Sequence, residues 1–204
     1  MVQFSSASLA TASLDELRQI LLDLLCTKAY KEGDFTLSSG QKSAYYINGK
    51  LVTLDAIGAI ALGRLMLPLL APQTAAVAGL TLGADPMVSA ISVVSAYEGT
   101  PLPGLIIRKE AKGHGTQAYI EGPLPPVGRT IAVIEDVVTT GQSALKAVNR
   151  LQDAGYQVTQ VLALVDREQG GAALYQSAGL DFTALFAIPD LQQRWHILQS
   201  KAEG

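Results

Sequence analysis

The stretch IAVIEDVVTTGQS, residues 131–143, predicts a strand, a polar turn and the start of a helix. Residues 131–134 are apolar and mostly β-branched, which is typical of a strand buried on both faces. Glu135 and Asp136 follow at the expected carboxyl end of that strand. After the turn, apolar residues recur at helical spacing, at Leu145, Val148 and Leu151. The stretch therefore predicts one strand–helix unit of an α/β protein.

The turn at residues 139–143, called the phosphate turn below, is suited to binding an anion. A strand, a glycine-containing turn and a helix N-terminus present free backbone N–H groups, and the helix dipole adds to the attraction. Glu135 and Asp136, the acid pair, do not suit a bare phosphate. Carboxylates can, however, accept hydrogen bonds from ribose hydroxyls or hold a metal ion. We therefore expect a phosphorylated sugar to bind here.

The rest of the chain alternates between strands and helices in the same way. Strands are predicted at 75–80, 105–107, 118–121, 158–165 and 181–188, and helices at 86–97, 143–154, 170–178 and 190–199. Polar or glycine-containing clusters follow four strands, at 79–85, 108–114, 135–143 and 166–167. Because ligands of an open parallel sheet bind outside the carboxyl ends of its strands, these clusters should meet at one crevice. We predict an α/β fold with a central, mainly parallel sheet flanked by helices.

The N-terminal part has a different pattern. Ser13 and Glu16 form a capping box before apolar residues at helical spacing, which predicts a helix over 14–30. Residues 35–48, FTLSSGQKSAYYIN, predict a hairpin of two short strands. Asp55 can cap a further helix that ends near residue 70. We expect residues 1–13 to be a flexible N-terminus and residues 14–204 to form a single domain.

Composition excludes several classes of protein. Hydrophobic residues make up 49% of the 204 residues and charged residues 16%, which is ample for a large core. A net charge of −3 argues against a nucleic acid or an anionic membrane as a partner. The single cysteine, Cys26, excludes an intrachain disulfide and indicates a reducing compartment. The longest apolar run, residues 57–71, is interrupted by Arg64 and Pro68, and the N-terminus lacks the pattern of a signal peptide. We therefore expect a cytoplasmic protein.

Two motifs carry a resemblance to a known family. Residues 131–143 resemble the phosphoribosyl pyrophosphate (PRPP) signature of type I phosphoribosyltransferases. Residues 108–115, RKEAKGHG, hold three of the 15 lysines and arginines and one of the two histidines, and they resemble the mobile catalytic loop of orotate phosphoribosyltransferases. The resemblance covers residues 14–186, and residues 14–50 would supply most of the small N-terminal hood that covers the base. Many members carry lysine where this chain has Ser38, and some carry it in place of Gly83. Whether Lys42 or Lys50 compensates for Ser38 is left open.

The resemblance implies the transfer of ribose 5-phosphate from PRPP to orotate, which gives orotidine 5′-monophosphate and pyrophosphate in pyrimidine synthesis. It implies that PRPP is bound by Arg108, Lys109, Lys112, His114, Glu135, Asp136, Val137, Val138, Thr139, Thr140, Gly141, Gln142 and Ser143. Among these residues, it gives catalytic roles to Asp136, Lys112, His114, Lys109 and Arg108. Orotate would contact Thr139 and Arg167. Mg²⁺ would bind through PRPP, with no direct protein ligand expected.

The resemblance also implies a homodimer with shared active sites, each loop reaching into the neighbouring subunit. Two alternatives remain at this point. One is a phosphoribosyltransferase for a different base, since the hood departs from the family pattern at Ser38. The other is a PRPP-binding transcription regulator, which would carry a DNA-binding segment and would not need the catalytic loop. The intact loop and the lack of a spare helix-turn-helix segment favour an enzyme.

Overall fold

The computed structural model describes residues 6–36, 40, 42–111 and 119–202, in which a six-stranded sheet is the largest element. The strands are β1 (Tyr30–Thr36), β2 (Lys42–Ile47), β3 (Thr74–Leu80), β4 (Gly104–Ile107), β5 (Ile120–Glu121), β6 (Thr130–Val138), β7 (Gln160–Asp166) and β8 (Asp181–Ala187). The α-helices are α1 (Ser6–Thr11), α2 (Leu14–Leu24), α3 (Lys50–Thr53), α4 (Ala56–Met66), α5 (Asp85–Tyr97), α6 (Gln142–Asp153), α7 (Gly171–Ser177) and α8 (Ile188–Ala202). None of the helices in the described part of the chain is both long and apolar enough to cross a membrane.

The six-stranded sheet has the order β5–β4–β3–β6–β7–β8, and every pair is parallel except β4 with β5. This mainly parallel sheet confirms the predicted fold class. The chain runs from β3 outward to β4 on one side and later returns to β6 on the other side of β3. The order of strands therefore reverses between β3 and β6, which is where an open α/β sheet leaves a crevice for a ligand.

The apolar run of β6 is buried on both faces, as predicted. Successive side chains of a strand point to opposite faces. Ala132 and Ile134 accordingly belong to an apolar cluster formed with α2, α4, α5 and α8. Ile131 and Val133 belong to a second cluster, formed with α6 and α7. The sheet therefore has a hydrophobic layer on each face, and only its strand ends are open to a polar ligand.

Strand β6 is longer than the sequence predicted. It continues to Val138 because β7 pairs with it beyond the apolar run, with Glu135 opposite Ala163 and Val138 opposite Asp166. The acid pair therefore lies within the strand instead of directly after it. Hydrogen bonding to a neighbouring strand, which residues 131–138 alone do not reveal, sets this boundary.

Two N-terminal features that the sequence predicted are present in the structure. Helix α2 begins with the predicted capping box, since the Ser13 Oγ accepts from the Glu16 N–H at 3.2 Å and Glu16 Oε2 accepts from the Ser13 N–H at 2.8 Å. Strands β1 and β2 pair antiparallel and form what we call the hood hairpin, which begins at Tyr30, earlier than expected.

The described part of the N-terminal segment forms a short helix that contacts α4. Helix α1 lies where residues 1–13 were expected to be flexible, and its Leu9 is buried in the core. The Arg64 side chain of α4 donates to the carbonyl oxygens of Leu9 and Ala12, both at 2.8 Å. This long-range anchoring by Arg64 is invisible in the local sequence.

Candidate active site

The phosphate turn forms a small cavity at the N-terminus of α6. Gly141 precedes the helix with a φ of +81°, a conformation that favours glycine. The cavity measures about 80 Å³, the scale of a single phosphate group. It is lined by Glu135, Val137, Val138, Thr139, Thr140, Gly141, Gln142, Ser143 and Tyr175. Apart from Asp136, every residue that the PRPP signature contributes to the predicted site lines this cavity.

Asp136 lies beside the turn between β3 and α5. A Cβ atom added to Gly83 in that turn would lie 2.5 Å from Asp136 Oδ1, so a side chain at position 83 would collide with the carboxylate. Gly49, just before α3, is also close, because a Cβ atom there would lie 3.7 Å from Asp136 Oδ2. The two acids are thus adjacent in sequence, but they border different parts of the crevice.

Glu135 has an unusual electrostatic environment. Its side chain is only 6% exposed, and Oε2 has no hydrogen-bond partner among the described residues. Burial, followed by the charge of Asp136, raises the pKa of Glu135 to about 8, although nearby Lys109 partly opposes this. A ligand hydroxyl that donated to Oε2 would stabilise the charged carboxylate. A ribose hydroxyl has the required chemistry.

Arg167, at the end of β7, connects the sheet to the hood hairpin. Its side chain is 8% exposed, and Nε donates to the Tyr45 hydroxyl at 3.1 Å. Nη2 donates to Ser43 Oγ at 3.1 Å, and the guanidinium lies 4.6 Å from the centroid of the Tyr45 ring. The sequence identified Arg167 but not Ser43 or Tyr45. The only pattern in the sequence that pointed toward these two residues was the short β-prone segment that contains Tyr45.

Residues 108–115 are called the catalytic loop below, after the family motif that they resemble, and the loop begins beside this crevice. Arg108 and Lys109 follow β4 and line a cavity of about 560 Å³. The rest of its lining comes from β4, β5, the loop and the turn before α5, namely Thr81, Asp85, Ile106, Glu110 and Glu121. Arg108 Nη1 lies 3.3 Å from Glu121 Oε1. The other two predicted loop residues, Lys112 and His114, lie outside the described residues.

Arg150, which the sequence analysis did not single out, holds the two ends of this loop together. It lies on α6, and its guanidinium donates to the backbone carbonyl oxygens of Arg108 and of Lys109, the latter at 2.8 Å. The same guanidinium lies 4.0 Å from the centroid of the Tyr119 ring, where the chain returns to the sheet. Helix α6 therefore contacts the phosphate turn at its start and the loop at its end.

Comparison with known proteins identifies relatives at high identity, although not through a family model. No protein-family model matches the chain. The orotate phosphoribosyltransferase of Nostoc sp. is 68% identical over 189 residues, which cover 93% of this chain and 92% of the relative. That of Synechocystis sp. is 65% identical over 193 residues, covering 95% and 98%.

The fold of the chain is likewise similar to a crystal structure of Mycobacterium tuberculosis orotate phosphoribosyltransferase in complex with PRPP. The TM-score is 0.72 at 34% identity, and the match covers 86% of this chain and 99% of that one. Similarity at this level over nearly the whole length of the relatives does not arise from a shared fold alone. With the signature turn, the acid pair and the hood hairpin arranged around one crevice, this chain belongs to the orotate phosphoribosyltransferase family.

Proposed function

We propose that the protein transfers the ribose 5-phosphate group of PRPP to N1 of orotate, releasing pyrophosphate and forming orotidine 5′-monophosphate in de novo pyrimidine synthesis. One observation carries the proposal beyond family membership. The phosphate turn, the buried Glu135 and Arg167 lie at the carboxyl ends of the neighbouring strands β6 and β7. A molecule with a phosphate, a ribose and an anionic base could contact all three at once.

The reaction breaks the bond from ribose C1 to the pyrophosphate oxygen and forms a bond from C1 to N1 of orotate, whose N1 proton is released. Positive charge develops on the ribose and negative charge on the pyrophosphate, so positioning and electrostatics supply most of the catalysis. The backbone N–H groups of the phosphate turn hold the 5′-phosphate. The acid pair holds the ribose hydroxyls and lies close to the developing cation.

The catalytic loop neutralises the leaving pyrophosphate. Arg108 and Lys109 line the larger cavity beside the crevice, which supports this role. Lys112 and His114 belong to the same loop motif and are assigned from the sequence. The ordinary pKa of histidine is about 6.5, so His114 can also supply a proton to the pyrophosphate.

Arg167 and Thr139 contact orotate. A guanidinium can pair with a carboxylate through two parallel hydrogen bonds, and Arg167 is already oriented by Tyr45 and Ser43. The hood hairpin supplies an aromatic ring and β7 supplies a cation beside it, which together suit a flat, negatively charged base.

Magnesium fits this site as an ion that PRPP carries. Within the described residues, no three His, Cys, Asp or Glu side chains come together to hold a metal. The acid pair offers hard carboxylate oxygens, and Mg²⁺ commonly combines one or two carboxylates with waters and substrate phosphates. Glu135 and Asp136 would hold it through ribose hydroxyls and waters. When bound, Mg²⁺ neutralises charge on the pyrophosphate.

The active form is a homodimer in which the loop of each subunit completes the site of its partner. Support comes from exposed apolar side chains on α3, α4 and α5 and next to them, including Leu54, directly after α3, at 70% and Tyr97 on α5 at 90% exposure. Leu54 lines a groove of about 690 Å³ that extends to Leu82, in the turn that faces Asp136, and to Asp85, the first residue of α5. Large exposed apolar patches mark interaction surfaces. The buried free thiol of Cys26 suits the cytoplasm, where we place the enzyme.

The test is an assay of the purified protein with orotate, PRPP and Mg²⁺, which follows the loss of orotate absorbance. Adenine, hypoxanthine and uracil are added separately as competitors and as alternative acceptors. We expect orotate to be consumed only when PRPP is present, with little effect of the other bases. Transfer to one of the other bases, with orotate unchanged, would contradict the proposed substrate.

A further inference from the structure

Tyr175 on α7 belongs to none of the motifs that define the site, yet it lines the phosphate cavity. Its side chain is completely buried, at 0% exposure. Its hydroxyl has no hydrogen-bond partner among the described residues. Buried hydroxyl groups are usually paired, so an unpaired one on a residue that lines a ligand cavity points to a ligand atom.

The position of the Tyr175 hydroxyl is set by close packing. A Cβ atom on Gly171, at the start of α7, would lie 2.2 Å from Val138 Cγ1 and 3.3 Å from the Thr139 carbonyl oxygen. Only a glycine allows α7 to lie this close to the phosphate turn. On the other side, a Cβ atom on Gly141 would lie 3.1 Å from the Tyr175 hydroxyl. The Phe182 ring, with its centroid 5.0 Å from that of Tyr175, supports the ring from behind.

The hydroxyl is suited to donating a hydrogen bond to an anion. Burial, followed by the charges of Glu135 and Asp166, raises the pKa of Tyr175, so the phenol keeps its proton. A buried donor that lacks an acceptor costs about 1–3 kcal/mol, and a ligand that supplies the acceptor removes this cost. The backbone N–H groups at the start of α6 attract an anion to the same cavity.

We propose that the Tyr175 hydroxyl donates a hydrogen bond to the 5′-phosphate of PRPP and of the product nucleotide. Tyr175 is then a further substrate-binding residue, supplied by α7 from beneath the phosphate turn. The inference rests on the proposed function only in naming PRPP as the source of that phosphate. The chemical group recognised is a phosphate monoester.

The test compares wild type with Tyr175→Phe, which removes one oxygen atom and keeps the ring packing. Dissociation constants are measured by calorimetry for PRPP, ribose 5-phosphate and pyrophosphate. We expect about tenfold weaker binding of PRPP and ribose 5-phosphate, the scale for a lost hydrogen bond to a charged group. Pyrophosphate lacks the 5′-phosphate, so its affinity should not change. The melting temperature of the ligand-free variant should stay the same or rise.

Tyr156→Phe is the matched control. Tyr156 is a buried tyrosine of the same apolar cluster, but its hydroxyl donates to the Pro125 carbonyl oxygen at 3.1 Å, away from the phosphate turn. We expect this variant to bind PRPP as wild type does.

Equal affinities of wild type and Tyr175→Phe for ribose 5-phosphate would overturn the inference. So would an equal loss for all three ligands with a lower melting temperature, since that pattern indicates a structural role. If wild type binds PRPP but leaves orotate unchanged, the proposed function is contradicted. The inference about Tyr175 is not, because it depends only on the comparison of binding between wild type and Tyr175→Phe.

Discussion

Glu135 and Asp136 are neighbours in sequence whose carboxyl groups are close enough to interact, yet they border different parts of the crevice. Glu135 is buried at the phosphate cavity, and Asp136 is partly exposed beside Gly83. One strand therefore supplies a buried acid and an accessible acid to the same crevice. Their different environments predict different consequences when each loses its charge.

We expect Asp136→Asn to lower kcat/KM by about tenfold to a thousandfold, or about 1.4–4 kcal/mol of transition-state stabilisation. The substitution keeps the shape of the side chain and removes a negative charge near the developing cation. Steady-state kinetics with PRPP and orotate measure the effect, and thermal unfolding verifies that the variant is folded. An unchanged kcat/KM would remove Asp136 from the mechanism.

Glu135→Gln should stabilise the ligand-free protein, and more so at higher pH. The folded-state pKa of about 8 exceeds the ordinary value of 4.5, so folding favours the protonated form. Wild-type stability should therefore fall as pH rises from about 4.5 to 8, and the loss is complete above pH 8. At pH 9 we expect the variant to gain about 1–3 kcal/mol.

Melting temperatures of wild type and Glu135→Gln at pH 5, 7 and 9 measure this dependence. Asp153→Asn, at an exposed position on α6, is the control and should show no such trend. A difference between Glu135→Gln and wild type that does not grow with pH would contradict the raised pKa. The same variant should be less active, because an amide accepts hydrogen bonds from the ribose less strongly than a carboxylate.

Arg167→Lys should raise KM for orotate and leave KM for PRPP nearly unchanged. Lysine cannot contact Tyr45, Ser43 and a carboxylate at the same time, because it lacks the planar fork of the guanidinium. We expect an increase of about tenfold, measured by varying each substrate separately. Tyr45→Phe is a milder companion, since it removes one contact to Arg167 and keeps the ring. An equal effect of Arg167→Lys on both substrates would indicate a structural role.

At the scale of elements, α6 connects two parts of the site. Its N-terminus forms part of the phosphate turn, and Arg150 in its last turn contacts the backbone of Lys109 before the loop and the Tyr119 ring after it. A rigid helix keeps these two parts at a constant separation, as the two ends of PRPP require.

We expect Arg150→Gln to raise KM for PRPP and to weaken inhibition by pyrophosphate, each by about three- to tenfold, with little change in KM for orotate. The reason is that the carbonyl oxygens of Arg108 and Lys109 lose their donor, which loosens the cations that bind pyrophosphate. Lys146→Gln, on the exposed side of α6, removes the same charge and should have no effect. Unchanged pyrophosphate inhibition in Arg150→Gln would contradict this role.

At the scale of the whole molecule, the exposed apolar face of α3, α4 and α5 adjoins the active-site crevice. We propose that the dimer forms through this face and that the catalytic loop of one subunit completes the site of the other. If active sites are shared between subunits, mixing two different inactive variants restores some activity, and this can be measured.

The test mixes Asp136→Asn with Lys112→Ala after partial unfolding and reassociation. In the shared arrangement, a mixed dimer has one site with both defects and one site with neither. Random pairing makes about half of the dimers mixed, so about a quarter of wild-type activity should return. If mass measurement shows mixed dimers and no activity returns, Lys112 acts within its own subunit.

Sequence alone determined the features that depend on local pattern. The strand of residues 131–134, the phosphate turn, the capping box at Ser13 and the role of Asp55 as a helix cap all follow from residues within a few positions of one another. Periodicity and capping are local properties, so they can be recognised without coordinates. The family resemblance rests on the same kind of short, contiguous motif.

Tertiary structure decided the contacts between residues far apart in the chain. The extension of β6 to Val138 depends on β7, and α1 is connected to α4 through Arg64. Arg167 meets Tyr45, 122 positions away, because β7 ends beneath the hood hairpin. Tyr175 reaches the phosphate turn because Gly171 allows α7 to pack against Val138. Such contacts depend on how whole elements pack, and no local pattern in the sequence encodes which distant side chain fills a given space.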